Sequence, residues 1–179
     1  MKIYFGCKAL KSILKVCNVD LTRAIIERHS KRLLKRLVIV LSYEHLPDAM
    51  FEALHILVLI TNLMDFEVTS ELVVVGIIHQ LNKFVDIKFL TSRSNKLAAE
   101  MALQIVANVT QISNLAIFHL TKQYVPDIKR DNERTIPGLN FLDRIVTLCR
   151  FTEKCEKKEI AQSVEQLNSK DKTLNSVST

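Results

Sequence analysis

PDAMFEALHILVLITNLM, residues 47–64, is the stretch whose reading decides the fold. Pro47 is tolerated in a first helical turn and Asp48 suits the positive end of a helix dipole, so the stretch opens as a helix. Phe51, Leu54, Leu57, Val58 and Leu63 then follow on more than one face. A helix that is apolar all round must be sandwiched between neighbours. The most apolar part, Leu54 to Met64, is 11 residues long and stops at Asp65, too short to span a bilayer. It reads as a buried core helix of a multi-helix domain.

Working outward towards the C-terminus, Glu67 to Val75 reads as a short helix that Gly76 breaks, and Ile77 to Leu90 as a second helix with Ile78, Leu81, Phe84 and Val85 inward. Ser92 to Asn95 is a polar loop, and Leu97 to Ile112 a long apolar helix. Asn114 to Gln123 is short again, Pro126 starts another segment, and Pro137–Gly138 leads into Leu139 to Phe151. Towards the N-terminus, Lys8 to Val16 carries Leu10, Ile13 and Leu14 at helical spacing. Asp20 is the expected N-cap of a short helix, Leu21 to Glu27. Ser30 then precedes a stripe of Leu33, Leu34, Leu37, Val38 and Leu41.

Composition agrees with helices. Among 179 residues, 48% are hydrophobic and 25% charged, a globular balance, and three Gly with three Pro cannot supply the turns of a many-stranded sheet. The net charge of +6 favours acidic partners or nucleic acid in a general way. Cys7, Cys17, Cys149 and Cys155 lack CxxC spacing and read as free thiols of a reducing compartment. No secretory h-region follows Met1, because Lys2, Lys8, Lys11 and Lys15 interrupt the apolar residues. The chain is therefore expected in the cytoplasm, the nucleus or both, with no membrane segment.

The helical pattern recurs. Ala53 of FEAL and Ala102 of AEMAL stand 49 residues apart, and breaks at Ser30, Gly76 and roughly Gln123 step by 46 and 47. Periods in the forties built of two or three helices belong to HEAT and armadillo solenoids. The expected fold is all-α, an armadillo-like α-α superhelix (a right-handed solenoid) of about three repeats over residues 1–153. A polar tail, partly helical and then disordered, is expected over 154–179.

In this order and spacing, residues 8–153 resemble the armadillo array of the importin-α family. The third helix of an importin-α repeat typically reads E-x-A-x-W-A-L-x-N-I, followed after a helix and a Gly by V-P-x-L-x-x-L-L. Residues 51–60, FEALHILVLI, occupy one such helix, and 68–78, VTSELVVVGII, the short helix, its Gly and the next start. Residues 100–109, EMALQIVANV, occupy the following repeat, with Phe118 to Pro126 at its break, and TLCR at 147–150 is similar to the end of a third. The resemblance implies an adaptor in nuclear import of proteins, binding a protein or peptide partner on its concave helical face. In that family Trp and Asn four residues apart form a ladder, Asn bonding an extended peptide and Trp walling slots for Lys stems. This chain has no Trp. The matching positions hold His55 with Leu59, Gln104 with Asn108, and Asp143 with Thr147. A shifted register instead puts Asn62 in the first ladder position, with Val58 where Trp belongs. The expected peptide-contacting residues are thus Asn108, Gln104, His55 and Asp143. The family's basic importin-β-binding segment is expected to be missing.

Arg28, Arg32, Lys35 and Arg36, with Lys31 beside them, form the sharpest charge cluster. On a helix the first four share a face, suited to phosphates or an acidic partner, or simply to solvent. No aromatic residue interleaves them, so base stacking is not expected. A second reading is therefore a scaffold that has lost localisation-signal binding and contacts nucleic acid or an acidic partner through this face. A third is a short duplicate whose bare end faces favour self-association or a stabilising partner. His29, His45, His55, His79 and His119 are scattered without ligand spacing, and no phosphate loop, nucleophile elbow or HExxH occurs. No catalysis, cofactor, metal or small-molecule substrate is expected.

Overall fold

The structure, a computed structural model, describes residues 2–121 and 141–150. They are helical apart from turns and short connections, with no strand among the described residues. The chain divides into two units, Met1–Arg144 and Ile145–Thr179. Of the second, residues 145–150 are described, all helical. The expected 153/154 boundary, the tail, and the elements at Gln123, Pro126 and Pro137 lie outside the described residues.

The first unit begins with α1 (Lys2–Val16), longer at its start than the apolar stripe from Lys8 suggests. α2 (Val19–Leu41) follows as one unbroken helix. Its cap is Asn18, whose side chain accepts the Leu21 N–H at 2.8 Å, and Asp20 lies inside the first turn instead of capping it. The expected break at Ser30 is absent. Ile26 and Leu34, four residues before and after this position, are both fully buried, so α2 buries apolar side chains on either side of it. A serine costs a helix only about 0.5 kcal/mol, far less than burying those side chains gains.

α3 (Pro47–Thr61) is the sandwiched helix that the sequence calls for. Ala53, Leu54, Ile56, Leu57 and Ile60 are fully buried, and α3 touches α1, α2 and α6. Lys11 of α1 forms an ion pair with Glu52. Buried Thr61 keeps its hydroxyl satisfied by donating to the Leu57 carbonyl at 2.9 Å.

Asp65 caps α4 (Phe66–Val74), accepting the Val68 N–H at 3.0 Å. Gly76, at φ 88° and ψ 30°, sits in the left-handed region and turns the chain into α5 (Ile77–Leu81). That region places a Cβ against the following carbonyl, which glycine avoids. The single helix expected over Ile77 to Leu90 is instead α5 followed by 3-10 turns at Asn82–Val85 and Ile87–Phe89. Leu81, Asn82, Phe84 and Val85 are all buried, a run that an α-helix would spread over roughly 160° and a 3-10 helix over roughly 120°. Tightening the helix keeps them inward, and extended Asp86 separates the two turns. Lys83, on this segment, donates to the Leu41 carbonyl at 2.5 Å, satisfying an orphan acceptor at the end of α2. Burial lowers the pKa of its ammonium from the usual value, and nearby Glu44 partly opposes that.

α6 (Arg93–Ile112) starts earlier than expected, because Ser92 is its cap, accepting the Asn95 N–H at 3.1 Å. α7 (Asn114–Thr121) follows at once. α2 touches α4 and α5, while α4 touches α5, α6 and α7. Residues 141–144 are helical, and Arg144 donates to Asp86 Oδ2 at 3.0 Å and to the Asn82 carbonyl at 3.3 Å. Of the three expected breaks, Gly76 is present, Ser30 is replaced by continuous helix, and Gln123 is outside the described residues.

Candidate peptide-binding face

Two helix segments supply the site. α3 ends at Thr61, with Asn62 as its C-cap, and the chain leaves through Met64 at φ 54°. α6 runs parallel to α3. Its Asn108 meets the C-terminal end of α3, while Ala98 near its start shares a cleft with Phe51 near the start of α3. On α6, Gln104 and Asn108 are one turn apart and so project on the same side.

These residues make an amide cluster. Asn108 Nδ2 donates to Asn62 Oδ1 at 2.8 Å and to Thr61 Oγ1 at 3.2 Å. Gln104 Nε2 approaches the same Asn62 Oδ1 at 3.4 Å. One oxygen thereby receives both donors, and the cluster's other polar atoms are left over: the Asn62 amino group, Asn108 Oδ1 and Gln104 Oε1 have no partner among the described residues. Asn62 and Gln104 are exposed and Asn108 is half-buried. The cluster therefore offers one amide donor and two acceptors from side chains already held by each other.

The geometry decides the register between the two candidate helices. Asn62 stands beside Asn108 at a separation of 46 residues, and Val58 takes the place equivalent to Gln104. The 49-residue echo that pairs His55 with Gln104 is not the pairing in space. Ala53 and Ala102, which suggest that echo, are both fully buried. A three-residue offset keeps a small residue on the core side of either helix, so alanines match in both registers.

His55 still lies on the relevant stripe, since Phe51, His55, Val58 and Asn62 follow at intervals of three or four along α3. It is two turns before Asn62, about 10 Å along the axis. Its Nδ1–H donates to the Phe51 carbonyl at 3.2 Å, and its ring meets the Phe51 ring edge to face at 5.1 Å. His55 is thus tied into α3 and half-buried, not part of the amide cluster. Asp143 is exposed in the helical residues 141–150 and is not among the residues the cluster brings together. Thr61, which the sequence reading passed over, supports Asn108 from within the core. The shifted register that the sequence also allows, with Asn62 in the first ladder position, is the reading that agrees with this pairing.

At the other end of the stripe a cleft of about 300 Å³ opens at the starts of α3 and α6. Tyr4, Phe51 and Phe89 supply aromatic walls and Asp48 and Glu52 carboxylates. Exposed Glu100 stands one turn before Gln104. Glu52 is already paired with Lys11 and the Tyr4 ring with Lys8, which leaves Asp48 as the cleft carboxylate with no ion pair among the described residues.

Arg28, Arg32, Lys35 and Arg36 lie on the single helix α2, all exposed, and none forms an ion pair with a described residue. Cys7 and Cys17 are free thiols, Cys149 is exposed and in no disulfide, and Cys155 lies outside the described residues. Burial, with a contribution from Glu52, pushes the Cys7 thiol above its usual pKa. Among the described residues no group of three His, Cys, Asp or Glu side chains is placed to hold a metal ion. No described helix is long and apolar enough to cross a membrane.

Comparison of the chain with protein-family models, with curated proteins and with solved structures finds no match to any of them.

Proposed function

We propose that this chain is a non-catalytic adaptor of armadillo type, similar in scaffold to importin-α, that holds an extended segment of a protein partner on the face shared by α3 and α6. The amide cluster of Asn62, Gln104 and Asn108 carries this reading. An extended peptide presents N–H donors and carbonyl acceptors alternately along its edge. Asn108 Oδ1 and Gln104 Oε1 suit its donors, and the Asn62 amino group suits a carbonyl. Because the three side chains are already bonded to each other, little rotamer entropy is lost when a peptide arrives.

Three further observations support the adaptor reading. The long helices α3 and α6 are neighbours, as are α2 and α4. That is the arrangement expected when successive repeats stack like on like. Asn62 and Asn108, 46 residues apart, fit a repeat period in the forties. The cleft beside Phe51 suits a Lys or Arg side chain, whose stem packs on the Phe51 and Phe89 rings while its charge meets Asp48. A basic cargo segment is the partner that fits, and delivery of proteins to the nucleus is the role that such recognition implies.

The test is a polarisation titration with a fluorescent Lys/Arg-rich heptapeptide. Asn62→Ala and Asn108→Ala should each weaken binding about two- to tenfold, the loss of one ordinary hydrogen bond. Equal affinity for the wild type and both variants would sink the proposal.

A further inference from the structure

A second surface, along the seam of α1 and α2, has no part in the amide cluster. We propose that the groove between α1 and α2 is a docking site for an amphipathic helix with acidic flanks, supplied by a partner protein. α1 packs chiefly on α3 and makes little contact with α2, so the seam between α1 and α2 is left unfilled. The resulting groove has a volume of about 510 Å³. Ile3, Gly6 and Leu10 of α1 line one wall, and Leu33, Arg36 and Val40 of α2 the other. Ile3 and Ile39 stay about two-fifths exposed, 40% and 41%, at its edges.

The shape suits a helix. Ile3 to Leu10 and Leu33 to Val40 each span eight residues, about 10 Å of helix, so the walls match about two turns of an occupant. A Cβ built on Gly6 meets nothing within 4 Å, so this residue is a gap in the wall where another chain's side chain can seat. Helices dock into such apolar grooves by side chains at spacings of three and four.

The charge selects the occupant. Arg36 lines the groove, Arg32 lies one turn before it on the same helix, and Lys2 adjoins Ile3. All three are exposed, and none has an ion pair among the described residues. Carboxylates flanking an apolar stripe would meet these cations along the rim. A second copy of this chain would bring the same cations against them, in a chain of net charge +6. The apolar floor gives nucleic acid no phosphate partners beyond the rim.

The experiment uses the full chain and a fluorescein-labelled 14-residue helical peptide, with Leu at heptad spacing and Glu at the flanking positions. A matched peptide with Lys for each Glu is the control. The acidic peptide should bind, the Lys peptide at least tenfold more weakly. Gly6→Leu, which fills the gap, should weaken the acidic peptide at least tenfold while its melting temperature stays at or above wild type. Arg36→Glu should weaken it several-fold and flatten its salt dependence, and this arm stands even if Gly6→Leu fails to fold. The proposal is overturned if the acidic peptide does not bind, or binds both variants as well as wild type. It is equally overturned if the Lys peptide binds as tightly. Sedimentation showing a dimer that Gly6→Leu dissolves would assign the groove to a second copy instead. Competition by a 20-nucleotide single-stranded RNA that Arg36→Glu removes would assign it to nucleic acid.

Discussion

Gly76→Ala isolates the left-handed turn that swings the chain from α4 into α5. At φ 88° and ψ 30°, alanine pays about 1–2 kcal/mol for the approach of its Cβ to the following carbonyl. A Cβ at this position meets nothing within 4 Å, so no packing clash adds to that cost. Alanine also restricts the unfolded chain, which returns about 0.4–1 kcal/mol. The net expectation is a loss near 1 kcal/mol, or about 2–4 °C in melting temperature for a chain of this size. Gly6→Ala is the internal control. Gly6 lies inside α1, also with open space around it, so alanine there should add about 0.5–1 kcal/mol. Urea unfolding monitored by circular dichroism reads both, with unchanged slope showing that two-state behaviour is kept. The two variants should therefore move in opposite directions from wild type. If Gly76→Ala is as stable as wild type, the chain does not pass through a left-handed residue there, and the placement of α5 fails with it.

The core and the groove thiol give two further expectations. Leu54→Ala, at a fully buried site on α3, should cost about 2–5 kcal/mol, whereas Ile39→Ala, 41% exposed, should cost well under half as much; the same urea series compares them. Cys7 has a raised thiol pKa in the folded chain, so it contributes stability below its usual pKa and loses that contribution as pH rises through the raised value. Cys7→Ala should accordingly flatten the alkaline limb of a stability–pH profile. In the wild type at pH 8, iodoacetamide should label exposed Cys149 well before buried Cys7.

Much of the fold was legible because local chemistry and tertiary packing agree. Pro47 and Asp48 at the start of α3, and Gly76, each mark a boundary that needs no knowledge of neighbours. Ser30 misled because a polar residue at the centre of a helix looks like a break when only its own turn is considered. Ile26 and Leu34 are buried on either side of it, and that burial outweighs local propensity. The segment after Leu81 differs because Asn82 is buried beside Leu81, Phe84 and Val85, and 3-10 winding gathers the four onto a narrower arc than the α-helix read from the apolar residues alone. In the candidate site, Gln104 and Asn108 come from the family resemblance, and the structure puts them one turn apart on α6. The choice between His55 and Asn62 was not legible, because buried alanines fit either register and only the contact between amides separates them.

The most direct test of the adaptor account is nuclear magnetic resonance of the uniformly nitrogen-15-labelled chain during titration with the Lys/Arg-rich heptapeptide. The account predicts that the side-chain amide resonances of Asn62, Gln104 and Asn108 shift together, following one dissociation constant, while the backbone amides of Arg28, Arg32, Lys35 and Arg36 stay in place. Peptide-induced shifts confined to α2, or no shift of the three amides at saturating peptide, would contradict it.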